Sequence, residues 1–384
     1  MSSKFKKSKV FTISFAHFAH DIYSSFLAPL LPLLIEKLGM SLTMAALLDI
    51  ARRIPSLFNP LFGLIAEKTG VKYFVILTPA ITALSMCLIG LVNSYVLLFI
   101  LLFVAGISGA LFHIPSPTMI KDNSGEKTGT GMSFFMVGGE LARTIGPLIA
   151  TAGVSWWGLE GIYRLLPIGF IASLILYVKL KDYEATRPPR KPLQKGDTKK
   201  VLKEFTPFFL SLGFFMLFQA GLKSALTLYL PVYLTQQGES LLYAGISLAI
   251  LQGFGVAGAL MLGSISDKFG RKNTLLLSSS ALVLFMGLFL YFKSIFLIPF
   301  IGFFLLSSGP VLMALVQDTN SNMPTFMNSM YMSINFGASS LIVFCVGVFG
   351  DNFGLESTYM IFTLVAIGCM PAIYFMDKTA NQSS

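Results

Sequence analysis

The chain contains one polar decapeptide twice, as Gly63-Leu-Ile-Ala-Glu-Lys-Thr-Gly-Val-Lys72 and, 200 positions later, as Gly263-Ser-Ile-Ser-Asp-Lys-Phe-Gly-Arg-Lys272. Five of the ten positions are identical, and each copy lies between two long apolar runs. Each copy is therefore predicted to be a short hairpin between two membrane-spanning helices, with glycines that permit sharp turns and close packing. An internal repeat of this kind indicates two copies of one helical bundle. Nearly the same offset relates Pro32 to Pro231 and Gly139 to Gly337.

The composition indicates that most of the chain is surrounded by lipid. Hydrophobic residues make up 54% and charged residues only 12%, and the mean hydropathy is +0.74. We predict an all-α polytopic membrane protein with twelve transmembrane helices, because twelve apolar runs reach the roughly 20 residues that span a bilayer. The runs lie near residues 10–35, 41–66, 73–92, 96–120, 129–153, 161–180, 206–234, 241–265, 274–292, 296–317, 327–350 and 357–376.

The repeat and one sizeable loop divide the chain into two pseudo-symmetric six-helix halves. Residues 1–180 are predicted to form the N-terminal six-helix bundle, and residues 206–384 the C-terminal one. Residues 181–205, rich in Pro and Lys, are predicted to be a solvated cytoplasmic linker. No segment is long enough for a soluble catalytic or signalling domain. We therefore expect a protein that is not an enzyme and whose chemistry lies inside the bundle.

The basic residues predict the orientation. Of the 28 Lys and Arg, only Lys37, Arg164 and Lys293 fall on the side opposite the termini, and four more lie inside the spans. By the positive-inside rule, both termini are cytoplasmic, and we expect the plasma (inner) membrane. The net charge of +10 follows mostly from this topology, so no nucleic-acid partner is expected. Nothing indicates an obligate oligomer, and we expect a monomer in the lipid bilayer.

Charged and imidazole side chains within the predicted spans are the candidates for function. A charged group at mid-bilayer costs about 2.5 to 3.5 kcal/mol, so each needs a partner or a cavity. The acids precede their bases by three or four residues, which places both on one helix face. The residues are His17, His20 and Asp21 on the first span, Asp49, Arg52 and Arg53 on the second, His113 on the fourth, Glu140 and Arg143 on the fifth, and Lys223 on the seventh.

Two interpretations of the charges stay open at this point. They are either structural salt bridges that fix helix packing, or the lining of a water-filled cavity that receives an anion. Three acids against four permanent cations leave one positive charge unmatched, which favours the cavity. Arginine grips a carboxylate or phosphonate through two hydrogen bonds. We therefore assign binding of a small anionic substrate to Arg52, Arg53, Arg143 and Lys223.

The acids and histidines are predicted to couple transport to protons. A carboxylate that is partly desolvated beside an imidazole can load and unload a proton as access alternates. His17, His20 and Asp21 lie within one turn of each other, as a relay requires. The simpler alternative for His17 and His113 is a packing histidine bonded to nearby backbone. The proposed proton-coupling set is His17, His20, Asp21, Asp49, His113 and Glu140.

The same residues allow a metal interpretation. His17, His20 and Asp21 have a usable ligand spacing on a helix, and His113 could complete the set. The four nearby cations would repel a divalent metal. We therefore assign no metal site and no cofactor, and we name the proton gradient as the energy source. A divalent-metal transporter that uses His17, His20 and Asp21 stays as the less favoured alternative.

The repeated hairpins resemble the signature of the major facilitator superfamily, Gly-x-Leu-Ala-Asp-Arg-x-Gly-Arg-Lys. The second copy keeps the acid and the basic end, whereas the first has Glu67 for Asp and Val71 for Arg. The resemblance implies the major facilitator fold, a central cavity and alternating access by rocking. It implies a conformational or gating role for Gly63, Glu67, Lys68 and Gly70, and for Gly263, Asp267, Lys268, Gly270 and Arg271.

Within that superfamily, two segments resemble the fosmidomycin-resistance efflux proteins. One runs from His20 to Pro32, and the other from Phe112 through Val137-Gly138-Gly139 to Gly146-Pro147. The family's Phe-His-Pro element has Ile114 inserted here. Gly146-Pro147 is also similar to part of the element associated with drug/proton antiporters, which adds both residues to the gating set.

These features predict a proton-coupled secondary transporter that exports a small anionic or zwitterionic organic compound by alternating access. In the expected cycle, Asp21 or Glu140 takes a proton from outside and loosens its hold on the arginines, and the substrate anion competes with that proton from inside. An organic-anion importer of the same superfamily is the main alternative. A passive channel would not require two repeated halves.

Overall fold

The computed structural model describes residues 5–58, 71–183, 197–319, 321 and 324–383, and 91% of the structure is helical. This confirms the all-α prediction. The helices are α1 (Lys7–Ser24), α2 (Leu27–Leu38), α3 (Leu42–Arg53), α4 (Val71–Leu88), α5 (Tyr95–His113), α6 (Ser116–Ser124), α7 (Thr128–Trp157), α8 (Leu166–Leu180), α9 (Asp197–Gln236), α10 (Leu241–Phe269), α11 (Arg271–Phe292), α12 (Ile298–Asp318), α13 (Pro324–Val365) and α14 (Cys369–Ser383).

Eight stretches of the described chain are long and apolar enough to cross a membrane. Several combine two helices, and the first, Lys7–Leu38, joins α1 and α2. Conversely, α13 covers the predicted span 327–350 and the start of the span 357–376. Gly354, with φ 77° and ψ 160°, marks the break between the two. The arrangement is consistent with the twelve predicted spans. The first hairpin, with Gly63, Glu67, Lys68 and Gly70, lies outside the described residues, as do residues 184–196 of the predicted linker.

The chain divides into two compact units. The first contains Met1–Pro188 and Leu234–Ala249, and the second contains Pro189–Tyr233 and Ile250–Ser384. The first unit therefore includes a short segment that follows the N-terminal half in sequence.

A seam of glycines in the first unit lets α1 lie directly against α7. A methyl group on Gly138 would overlap the backbone carbonyl of Ser14, and one on Gly139 would overlap the ring of His17. Gly146 faces Ser25 in the same way. Small residues that allow such close backbone approach are the usual means of packing helices where lipid removes the hydrophobic driving force. The seam fixes the height at which His17 and Asp21 face α7.

Proline ends α1 just beyond these side chains. Pro29 lacks the N–H that would continue the helix, and the chain restarts as α2 at Leu27 with the proline in its first turn. At the break, the Ser25 N–H donates to the Asp21 carbonyl at 3.1 Å. Asp21 thus begins the last turn of α1 before the break, and His17 and His20 lie in the turn that precedes it.

Basic residues gather at one end of the first unit. Lys9 Nζ donates to the Lys179 carbonyl at 2.6 Å, and Lys72 Nζ to the Lys181 carbonyl. At the opposite end, Lys37 Nζ lies 2.9 Å from Glu160 Oε1. The basic residues predicted on one side of the membrane therefore meet at one end of this unit.

The second hairpin forms a clamp in the second unit. Gly270 turns the chain with φ 89° between α10 and α11. Arg271 Nη1 contacts Asp267 Oδ1 at 2.5 Å and the Ser266 hydroxyl at 2.6 Å, and its Nε contacts Asp318 Oδ2 at 2.9 Å. The arginine thus ties the hairpin to the end of α12. The first hairpin has Val71 at this place, and in that unit Asp122 instead accepts a hydrogen bond from the Tyr183 hydroxyl at 3.1 Å.

Replacement of Gly138 by Ala should lower the melting temperature of the purified protein, because the added methyl forces α1 and α7 apart. Overpacking of this kind costs about 1–3 kcal/mol. The matched control is Gly287→Ala in α11, where nothing lies within 4 Å of the added carbon. The control should be neutral or slightly stabilising, since alanine favours helix. Equal melting temperatures for the two variants would contradict the seam.

Candidate functional site

Asp21 is the centre of the site. Its side chain is only 9% exposed, and three histidines and one arginine surround its two oxygens. Oδ1 lies 2.9 Å from His20 Nδ1 and 3.4 Å from His113 Nε2, and Oδ2 lies 3.2 Å from His17 Nε2 and 4.0 Å from Arg143 Nε. We call these five residues, from α1, α5 and α7, the Asp21 cluster. It includes every histidine in the protein.

The contact between His17 and Asp21 is one that an added proton would stabilise. Its Nδ1 donates to the Phe135 carbonyl at 2.7 Å, and its ring stacks on Phe135 at 4.0 Å. In a neutral imidazole the other nitrogen, Nε2, then carries a lone pair. That nitrogen is buried 3.2 Å from Asp21 Oδ2, in a geometry that makes no hydrogen bond. A lone pair facing a carboxylate is unfavourable, so a proton on either partner stabilises the contact.

His20 is more deeply held than the other histidines. Its ring stacks on Phe112 at 4.7 Å with an interplanar angle of 8°, and its Nδ1 donates to Asp21. The remaining nitrogen, Nε2, is buried and has no hydrogen-bond partner among the described residues. His20 therefore orients the carboxylate. The sequence offered a purely packing role as the alternative for His17 and His113. Of the three histidines, His20 comes nearest to such a role, because its ring stacks on Phe112.

Arg143 lies between two acids. Its Nη2 pairs with Glu140 Oε1 at 2.7 Å, while Nε approaches Asp21 at 4.0 Å. Its side chain is 44% exposed, so it can exchange partners. Pro147, four residues later in α7, lacks the N–H that would bond to the Arg143 carbonyl and so weakens the helix at this point. The predicted gating pair Gly146-Pro147 thus lies one turn from the cluster.

Asp49 is occupied on both oxygens. Arg52 Nη2 contacts Oδ1 at 2.8 Å, and Arg53 Nε contacts Oδ2 at 2.7 Å. Arg52 Nη1 also donates to the Ser24 carbonyl of α1 at 3.3 Å. Gly106 of α5 allows the Arg52 backbone to approach closely. For Asp49, the geometry is that of a structural salt bridge, one of the two interpretations left open by the sequence. The side chains of Arg52 and Arg53 stay 27% and 38% exposed.

The charge balance of the first unit differs from the count made on the whole sequence. Lys223 belongs to the second unit, where it lies on α9 and its carbonyl accepts the Thr227 hydroxyl at 2.7 Å. The intramembrane candidates of the first unit are therefore Asp21, Asp49 and Glu140 against Arg52, Arg53 and Arg143. Within that unit, the expected unmatched positive charge is absent from this set, and the net charge of the site depends on the protons held by the Asp21 cluster.

Some partners could not be identified from the sequence. The carbonyls of Phe135 and Ser24, which accept hydrogen bonds from His17 and Arg52, are backbone groups. Every residue type carries such a carbonyl, so the sequence does not indicate which one is used. The aromatic rings that stack on His17 and His20 could have been suspected from the sequence, because Phe112 adjoins His113 and Phe135 lies just before the Gly138-Gly139 pair. The metal interpretation also changes, since the cluster with metal-ligand spacing is His17, Asp21 and His113. His20 does not belong to it, because its Nδ1 is bonded to Asp21 and its Nε2 points away.

The comparison with protein families agrees with the fold. The family model of the Major Facilitator Superfamily matches residues 13–343. The chain belongs to the Major Facilitator Superfamily. It is a membrane-embedded transporter and not an enzyme.

Two bacterial relatives match nearly the whole chain. The Fosmidomycin resistance protein of Escherichia coli (strain K12) is 22% identical over 381 residues, covering 95% of this chain and 92% of the relative. The Uncharacterized MFS-type transporter YfnC of Bacillus subtilis (strain 168) is 21% identical over 383 residues, covering 94% of this chain and 90% of the relative. This similarity agrees with the resemblance to fosmidomycin-resistance proteins found in the sequence.

Solved structures of distant transporters share the fold. A bacterial homolog of the human lysosomal transporter Spinster, inward-facing and unoccupied, has a TM-score of 0.74 at 14% identity, covering all of this chain and 97% of that one. A D-xylose-proton symporter has a TM-score of 0.74 at 17% identity, with 97% of each chain covered. At these identities the likeness shows the fold alone.

Replacement of Asp49 by Ala should destabilise the protein strongly, because it leaves two neighbouring arginines without their shared carboxylate. Removal of one partner from a buried ion pair costs about 3–5 kcal/mol, and the partial exposure of Arg52 and Arg53 favours the lower value. Thermal unfolding in detergent measures the effect. The control is Glu160→Ala, which breaks an ion pair whose acid is 71% exposed and should change stability by about 1 kcal/mol at most. Equal losses would contradict a structural role for Asp49.

Proposed function

We propose that this chain is a proton-coupled secondary transporter of a small anionic or zwitterionic organic compound, and that the form the site supports best is export of a zwitterion. The observation that carries the proposal is the contact of Asp21, a buried carboxylate, with three histidines and Arg143. A buried acid within reach of several proton acceptors and one mobile cation has what coupling requires: a place for the proton, and a cation that responds to it.

The coupling step follows from the shared oxygen of Asp21. Oδ2 faces both His17 Nε2 and Arg143 Nε. A proton that neutralises Asp21 removes the attraction that holds Arg143 toward it. Arg143, which already pairs with Glu140, is then available to a substrate anion, and its planar guanidinium can bind a carboxylate or phosphonate with two hydrogen bonds. Proton and substrate thus affect each other through one side chain, which is a linkage between two ligands.

The balanced charges of the first unit favour a zwitterion for export. A zwitterion adds no net charge: its anionic group pairs with Arg143, and its cationic group competes with the proton for the carboxylates. Exchange of substrate for protons requires that the two compete for one site. Protons that move inward can then drive the substrate outward. An anion alone would instead bind best together with a proton, because Arg143 is then released. That cooperative sign corresponds to cotransport and favours the importer alternative.

The relatives support the direction of transport. Drug resistance, from which the Escherichia coli relative takes its name, is the result expected of export. The convergence of Lys9, Lys72, Lys179 and Lys181 at one end of the first unit supports cytoplasmic termini in a plasma membrane. We further propose that the protein works as a monomer and needs no cofactor beyond the proton gradient.

The substrate group should depend on Arg143. Arg143→Ala should lower substrate affinity about 10- to 100-fold, the value of a charge-assisted hydrogen bond or two, while expression stays normal. The assay is thermal stabilisation of the protein by a panel of phosphonates, amino acids and organic acids, followed by uptake of the best ligand into proteoliposomes. The control is Arg164→Ala, which removes a cation that lies over the Trp157 ring outside the site. Full activity of Arg143→Ala would contradict the assignment.

Proton coupling should depend on Asp21. In proteoliposomes, Asp21→Asn should abolish transport driven by a pH gradient while the exchange of labelled for unlabelled substrate continues, because asparagine keeps the shape and cannot ionise. Glu160→Gln serves as the control at an exposed acid. In the wild type, acid pH should weaken binding of a zwitterion and strengthen binding of a simple anion. Gradient-driven transport by Asp21→Asn equal to wild type would contradict the coupling role.

A further inference from the structure

Three side chains of the Asp21 cluster have the arrangement of a metal site. His17 Nε2, one carboxylate oxygen of Asp21 and His113 Nε2 all lie within 4.8 Å of one another. We infer that these three residues bind a divalent transition metal, with Zn²⁺ the best fit, and that the bound metal occupies the Asp21 carboxylate and so blocks transport. Metal binding by the three residues is independent of the proposed function, whereas the block of transport by the bound metal rests on that function.

His17 is oriented as a metal-bound histidine would be. Metal-ligating imidazoles usually donate their second ring N–H to a carbonyl or carboxylate, which fixes the tautomer and raises ligand basicity. The His17 Nδ1–H donates to the Phe135 carbonyl at 2.7 Å. Its Nε2 is buried, without a hydrogen bond, and faces Asp21. A buried nitrogen that lacks a donor and points at a carboxylate is suited to a shared cation.

The spacing agrees with a tetrahedral ion. Ligand atoms about 2.1 Å from a tetrahedral zinc lie roughly 3.4 Å from one another. His17 Nε2 lies 3.2 Å from Asp21 Oδ2, and His113 Nε2 lies 3.4 Å from the other oxygen, Oδ1. One oxygen and the two nitrogens fall within 4.8 Å of one another, so a small movement of the side chains brings them to the spacing of a single ion. Two imidazoles and a single carboxylate favour zinc over magnesium or calcium, which require more oxygen ligands. His113 is 46% exposed, which gives the metal an entry path and leaves room for a water as the fourth ligand.

Arg143 opposes the metal and thereby links it to the transport site. Its Nε is 4.0 Å from Asp21 Oδ2, so a divalent ion on Asp21 repels it toward Glu140. An ion that occupies the Asp21 carboxylate also removes the contact through which proton and substrate affect each other. A site filled with metal therefore cannot carry out the coupling step.

Metal binding is tested on the full-length protein in detergent, with ZnCl₂ followed by calorimetry and CoCl₂ by visible absorption. His113→Ala and His17→Ala should each weaken binding by at least about tenfold, since even loss of a residue that only supports a ligand costs 10–100-fold. Glu160→Gln, at an exposed acid that pairs with Lys37, is the control and should retain full binding. His20→Ala removes only the hydrogen bond that orients Asp21 and should weaken binding less than either ligand variant. The half-exposed His113 gives a variant that is expected to fold. Absence of binding to the wild type, or an equal loss in His20→Ala, would overturn the site.

Two further measurements separate this site from the transport mechanism. Arg143→Gln should bind Zn²⁺ at least about fivefold more tightly, because a repelling charge 4 Å away is removed, although its transport is impaired. Zn²⁺ should inhibit proton-driven transport by the wild type at the concentrations at which it binds in calorimetry, and a chelator should restore transport; binding without inhibition would contradict the block. If Zn²⁺ binds but enters proteoliposomes that contain a zinc indicator, the ion is cargo and the block is wrong. If Zn²⁺ binds and no proton-driven transport is detected, the proposed function fails while the site stands.

Discussion

The burial of the Asp21 carboxylate against α7 is the constraint on which the rest of the site depends. A charge placed there is costly unless partners surround it, and the partners come from three helices: His17 and His20 from α1, His113 from α5 and Arg143 from α7. Glycines 138 and 139 bring α7 near enough for these contacts. The packing of the first unit and the electrostatics of the site therefore have the same origin.

The two acid–base groups of the first unit perform different tasks. Asp49 is 1% exposed and uses both oxygens on Arg52 and Arg53, which suits a group that holds α3 in place through Ser24 of α1. Glu140 and Arg143 are more exposed, and Arg143 can choose between two acids. A fixed pair next to an exchangeable one gives the site a rigid frame and one side chain that can respond to a proton.

Much of the fold and part of the site could be predicted from the sequence. What could not be predicted depends on contacts between helices. Apolar run length predicts the helices, and spacing of three or four residues predicts the pairs of Asp49 and Glu140, because both depend on local geometry. The convergence of His113 and Arg143 on Asp21 depends on how helices pack, which spacing along one helix cannot reveal. For the same reason, the sequence could not reveal that His20 falls outside the metal-like triad of His17, Asp21 and His113. The resemblance implied a gating role for Arg271, but its contact with Asp318 required the fold.

The most direct test of the central claim uses the fact that the protein has only three histidines, all of them in the Asp21 cluster. Selective ¹⁵N-histidine labelling therefore gives a nuclear magnetic resonance spectrum of this site alone, without a known substrate. If the cluster loads and unloads a proton through Asp21, at least one imidazole should change protonation state as the pH is varied, and Asp21→Asn should shift that transition. Imidazole signals that stay constant across the pH range in which the protein is folded, and unchanged in Asp21→Asn, would contradict the account.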